Sequence, residues 1–125
     1  MEILPLAMTL LIWMQIKHFV ADYLLQPPWM LRGKGSFFQV GGYVHAGIHA
    51  VGTLPVLLAT GVELWLCLVL FCGEFVIHYI IDYIKATLSS GAKTSARTFW
   101  AMHGADQLMH QLTYAAIIWI VLTNR

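Results

Sequence analysis

Histidine and aspartate recur at intervals of four along this sequence: His18-x-x-x-Asp22, His45-x-x-x-His49, His78-x-x-x-Asp82 and Asp106-x-x-x-His110. On an α-helix that spacing puts two side chains on one face, one turn apart. Each pair can therefore close on an ion as a clamp. Imidazole nitrogen and carboxylate oxygen are the ligand types of zinc, iron and manganese. The candidate metal ligands are His18, Asp22, His45, His49, His78, Asp82, Asp106 and His110. They outnumber the ligands of a single tetrahedral ion, so the set implies two ions, or one ion whose ligands are oriented by outer residues. Zinc is the first expectation, with iron or manganese as alternatives. A divalent ion would bring the pKa of bound water towards neutrality. One of Asp22, Asp82 or Asp106 would then act as general base, and Lys85 would steady a developing anion. Lys85, Arg32 and Lys34 together could hold a phosphate. Glu74, four residues before His78, reads either as a ligand or as the buried partner of His78.

These residues need helices to carry them, and the composition says which kind. Of 125 residues, 59% are hydrophobic and 10% are charged, whereas a soluble domain carries about 25% charged residues. Such a chain cannot cover itself with a water-compatible surface. The net charge of +1, without runs of like charge, excludes a nucleic-acid-binding or acidic-tail protein. Two cysteines, Cys67 and Cys72, both in an apolar stretch, exclude a disulfide scaffold. The expected class is an all-α, polytopic membrane protein of one domain, residues 1–125, with four transmembrane helices in a compact bundle around a polar, metal-binding type of centre. Apolar runs of about 17–25 residues place the spans near 3–26, 43–59, 62–86 and 98–123. Pro27-Pro28 stops the first, Gly41-Gly42 breaks the chain before the second, and Thr60-Gly61 makes a tight hairpin between the second and third. The first span lacks a basic leader and a small-residue cleavage site, so it reads as a mature helix and not a signal peptide.

The basic residues orient the bundle. Arg32 and Lys34 follow the first span, Lys93 and Arg97 follow the third, and the hairpin tip has neither Lys nor Arg. The positive-inside rule then puts loops 27–42 and 87–97 in the cytoplasm and both termini outside. Under that topology all the clamps lie in the cytoplasmic half of the membrane. Glu74, His78, Asp82 and Lys85 fit a helical stripe of roughly 80° at 100° per residue. His103, Asp106, Gln107 and His110 fit a similar one. Both must face inward, because lipid cannot solvate them.

Other residues read more plainly. Lys17 is expected to snorkel to an interface, and Gly47, Gly73, Gly104 and Ala105 to permit close helix packing. Cys67 and Cys72 read as core thiols, and His103 as a packing residue. Arg32-Gly33-Lys34-Gly35 is too short for a phosphate loop and reads as a flexible basic loop at anionic headgroups. The tryptophans read as interface anchors and core.

The motifs carry a resemblance. His18-x-x-x-Asp22 with Gln26 and Pro28-Trp29-Met30, then His45-x-x-x-His49, His78-x-x-x-Asp82-x-x-Lys85 and Asp106-Gln107-x-x-His110, resemble the signature of an uncharacterised bacterial integral-membrane family, domain of unknown function 3307 (DUF3307). The resemblance implies an inner-membrane protein with those polar residues at its heart, and no reaction.

The leading functional expectation is a metal-dependent hydrolase at the cytoplasmic leaflet, acting on an amphipathic or phosphate-bearing substrate. Its expected partners are membrane lipid and, as one option, further copies of the chain, with no nucleic acid. The alternatives are an ion- or proton-handling transport element, bis-histidine haem, and a non-catalytic bundle glued by His–Asp pairs. A through-path needs polar residues at every depth, and the outer halves 4–14, 51–59, 65–71 and 115–122 are almost wholly apolar.

Overall fold

A computed structural model of the protein describes residues 1–89 and 95–125; Lys93, expected in the second basic loop, lies outside the described residues. The described chain is all-α. Helix α1 (Ile3–Phe19) runs on into a π-helical turn, Val20–Leu24, closed by Leu25 N–H donating to the Val20 carbonyl at 3.0 Å. Pro27-Pro28 ends it, but Pro28, whose missing N–H costs nothing in a first turn, opens the short helix α2 (Pro28–Gly33). Helices α3 (Val40–Ala59), α4 (Leu64–Ser89) and α5 (Ala96–Thr123) follow. Gly61, at φ 77°, makes the tight α3–α4 reversal in the left-handed region that glycine enters freely. The Ser95 hydroxyl caps α5 by accepting from Thr98 N–H at 3.2 Å.

Packing runs α1 to α3, α3 to α4, α4 to α5 and α5 back to α1, with α2 laid on α3. The long helices thus form a square in which α1 lies diagonally from α4. Among the described residues, three helices are long and apolar enough to cross a membrane: Ile3–Leu24, Val40–Ala59 and Leu64–Ser89. This corrects the count of four. Helix α5 has the length, at 28 residues, but His103, Asp106, Gln107, His110 and Gln111 dilute its apolar content.

Two layers fill the square. One end is a dry core built from Leu6, Leu10, Met14, Leu57, Leu70 and Ile117, with their neighbours on the same faces. The other end holds the polar residues. Burial follows helical stripes, as an inward face must: Leu6, Leu10, Met14, Lys17 and His18 on α1, and His45, His49, Thr53 and Val56 on α3.

Several local expectations are overturned here. Gly41 and Gly42 lie inside α3 and do not break it. A Cβ on Gly41 would sit 2.7 Å from the Trp29 carbonyl oxygen, and one on Gly33 would sit 2.7 Å from Gly41 Cα, so these glycines let α2 dock on α3. Arg32 and Gly33 belong to α2, not to a flexible loop. Gly73 and Gly104 have nothing within 4 Å of where a Cβ would stand, so close packing does not explain them, and Gly47 has only an ordinary contact at 3.9 Å. The close approach is at Gly52, where a Cβ would meet Lys17 Cγ at 2.7 Å. Cys67 is buried as expected, but Cys72 is exposed on the outer face of α4. Lys17 does not snorkel: it is 7% exposed.

Candidate metal centre

The clamps meet in one place. The π-helical turn at the end of α1 carries Asp22, and such turns re-aim the residues they contain and are frequent at functional sites. Three imidazoles surround the Asp22 carboxylate: His49 Nε2 at 2.8 Å and His45 Nε2 at 3.2 Å from Oδ1, and His18 Nε2 at 3.1 Å from Oδ2. Three also surround Asp82: His110 Nε2 at 3.2 Å from Oδ1, with His45 Nε2 and His78 Nε2 each 3.5 Å from Oδ2. The rings of His49, His78 and His110 stack in sequence, with centroids 3.8 and 4.1 Å apart. Two groups have ligand atoms close enough to share an ion, within 4.8 Å of one another: Asp22, His45, His49 and His78, and then His78, Asp82 and His110.

The donor set fits a cation better than it fits itself. Buried polar groups are almost always hydrogen-bonded. Yet among the described residues His45 Nδ1, His45 Nε2, His78 Nε2, Asp82 Oδ2 and Asp106 Oδ1 are buried without a hydrogen-bond partner. Of these, His45 Nε2 and His78 Nε2 each stand 3.5 Å from Asp82 Oδ2, at ion-pair distance but without a hydrogen bond. Pairs that merely held helices together would be satisfied.

His18 and Asp106 stand beside these groups, not within them. His18 Nε2 lies 2.8 Å from Gln107 Oε1, and His18 Nδ1 lies 2.8 Å from the Tyr114 hydroxyl. Asp106 Oδ1 is 3.5 Å from His110 Nε2, and Asp106 Oδ2 accepts from Lys85 Nζ at 3.0 Å. The Lys85 amine is also 3.1 Å from His103 Nδ1, which puts His103 at the rim. Lys34, expected as a loop cation able to help hold a phosphate, reaches Asp82 Oδ2 at 2.8 Å.

Residues 10–125 match the family described as protein of unknown function, DUF3307. The chain belongs to that family. No curated protein and no solved structure matches it. Membership in DUF3307 accordingly brings no reaction, and the chemistry has to be argued from the site.

Beneath the centre lies a cluster that the spacing did not give. Lys17 reaches diagonally across the bundle to form a buried ion pair with Glu74, and its amine also donates to Thr53 Oγ1 at 3.0 Å and to the His49 carbonyl at 3.2 Å. Thr53 donates to Glu74 Oε2 at 2.5 Å. Glu74 is thus neither a ligand nor the partner of His78. Tyr114 and Thr53 also escaped the sequence reading. A signal existed: each lies four residues after a clamp histidine, His110 and His49, on the same buried stripe.

Proposed function

We propose that the protein is a membrane-embedded metalloprotein that binds a divalent ion, zinc first and iron or manganese otherwise, and uses it for hydrolysis at the cytoplasmic leaflet. The observation that carries this reading is the convergence of buried imidazoles on Asp22 and Asp82, with His45 Nε2 and His78 Nε2 left without hydrogen bonds. Asp22, His45, His49 and His78 would hold one ion, and His78, Asp82 and His110 offer a second position. A divalent ion there supplies Lewis acidity and acidifies water at neutral pH.

The remaining groups divide the work. Asp22 and Asp82 are taken up by imidazoles. Asp106 keeps Oδ1 free of hydrogen bonds while Lys85 holds Oδ2, which suits it to accept a proton. Lys85, about a third exposed at its side chain, is placed to steady an anion. A cleft of about 150 Å³ between α4 and α5 brings Ile81, Leu88, Met102 and Met109 beside Lys85 and Asp106, an apolar wall next to charge that suits an amphipathic or phosphate-bearing substrate. We place loop 27–42 in the cytoplasm and both termini outside, in a bacterial inner membrane. The dry layer of Leu6, Leu10, Leu57 and Leu70 speaks against an ion path through the bundle.

Metal analysis of gently purified protein tests the reading. Stoichiometric divalent metal is expected, lost in His45→Ala/His49→Ala. Absence of metal from the wild type, with none restored on adding zinc, iron or manganese, refutes it. For the hydrolytic step, turnover of an amphipathic phosphate ester in nanodiscs should fall in Lys85→Met while metal content stays, because Lys85 lies outside both ligand groups.

A further inference from the structure

The hydroxyl of buried Tyr114 touches two imidazoles on different helices, His18 Nδ1 on α1 at 2.8 Å and His49 Nδ1 on α3 at 3.2 Å. A hydroxyl has a single proton, so the rings decide which way it points. The decision begins at Asp106, a carboxylate that only accepts. The Gln107 amide donates to Asp106 Oδ2 at 3.1 Å, and this turns its carbonyl oxygen to His18 Nε2 at 2.8 Å. A carbonyl also only accepts, so His18 Nε2 carries a proton, and Asp22 Oδ2 at 3.1 Å on the same nitrogen demands the same. In a neutral ring, His18 Nδ1 is then a lone pair and takes the Tyr114 proton. The Tyr114 oxygen is left to accept from His49 Nδ1–H. His49 Nε2 is therefore bare, and it faces Asp22 Oδ1 at 2.8 Å. Two acceptors held at that distance call for a cation.

We propose that Asp106, Gln107, His18 and Tyr114 form a hydrogen-bond relay that holds His49 in its Nδ1-protonated tautomer and presents its Nε2 lone pair, with Asp22 Oδ1, to the metal. His18 and Tyr114 are positioning residues and not ligands, in keeping with the absence of His18 from both ligand groups. The relay rests on the metal-centre reading for its purpose; its tautomers follow from the hydrogen bonds through Tyr114 and forgo the one that His49 Nε2 could otherwise donate to Asp22 Oδ1 at 2.8 Å. Outer partners of this kind fix ligand tautomers in metal sites, and their loss costs about 10–100-fold in affinity. Without the Tyr114 hydroxyl, His49 is free to place its proton on Nε2 and donate it to Asp22. A metal would then have to break that bond.

The test uses chelator-treated full-length protein with ¹⁵N-labelled histidine at about pH 8.5, two units above the ordinary imidazole pKa. The wild type should show His49 protonated at Nδ1 and His18 at Nε2. Tyr114→Phe keeps the ring against which the Lys17 amine packs at 4.4 Å. It should move the His49 proton to Nε2 and weaken zinc binding about 10–100-fold in competition with a chromophoric chelator. His49 protonated at Nε2 in the wild type overturns the relay, as does a Tyr114→Phe protein with unchanged tautomer and zinc affinity. The wild-type spectrum decides the matter even if the variant fails to fold. Wild-type protein with the expected tautomers that binds none of zinc, iron or manganese refutes the metal centre instead and leaves the relay standing.

Discussion

Breaking the Lys17–Glu74 pair from one side should cost far more than removing it whole. The side chains are 5% and 0% exposed, so neither charge has water to fall back on. In Glu74→Ala the Lys17 amine keeps only Thr53 Oγ1 at 3.0 Å, the His49 carbonyl at 3.2 Å and the Tyr114 ring at 4.4 Å among its present contacts. None of these carries a negative charge. An uncompensated buried charge of this kind costs about 3–5 kcal/mol. Lys17→Met leaves the carboxylate with the Thr53 hydroxyl at 2.5 Å. Its cost should fall in the same range, because the buried carboxyl, like the buried amine, has lost its counter-charge. The double variant Lys17→Met/Glu74→Leu removes both charges and fills similar volume with apolar atoms. It should be neutral or stabilising by about 1–4 kcal/mol, with Thr53 still bonded to the His49 carbonyl at 3.3 Å. The assay is equilibrium unfolding of detergent-purified protein in increasing dodecyl sulfate, followed by tryptophan fluorescence. A double variant as unstable as the two single losses added together refutes the reasoning. So does a single loss under about 1 kcal/mol, the level of a pair exposed to water.

Four further outcomes are expected. Gly41→Ala, whose new Cβ would stand 2.7 Å from the Trp29 carbonyl oxygen, should lose about 1–3 kcal/mol by overpacking. Gly104→Ala, with nothing within 4 Å, should gain about 0.5–1 kcal/mol from helix propensity in the same unfolding assay. His103→Ala removes a side chain that contacts Lys85 and no ligand group, so metal content should stay at the wild-type level, in contrast to His45→Ala. In a background with Cys67 and Cys72 replaced by alanine, a membrane-impermeant maleimide should label Ser36→Cys only from the cytoplasmic side and Glu63→Cys only from the opposite side. Labelling of both from one side would overturn the orientation.

How much of this could be read in advance depends on the range of the physics involved. Periodicity is local, so the sequence by itself determined the all-α class, the helix boundaries near Pro27 and Gly61, and the inward faces at His18, His45, His78 and His110. Scarce charge determined that those faces were meant for one another. Where a backbone bends or docks is less local. The sequence did not say that α1 loosens into a π-turn at Asp22, or that Gly41 and Gly42 would be spent on a helix contact and not on a break. Partner choice was settled by the tertiary structure alone. Lys17 and Glu74 are 57 residues apart and on diagonal helices, and the Tyr114 hydroxyl joins His18 to His49 from a third. Helical spacing fixes which face a side chain occupies, whereas a hydrogen bond depends on tenths of an ångström between elements. Only the packed bundle sets those distances.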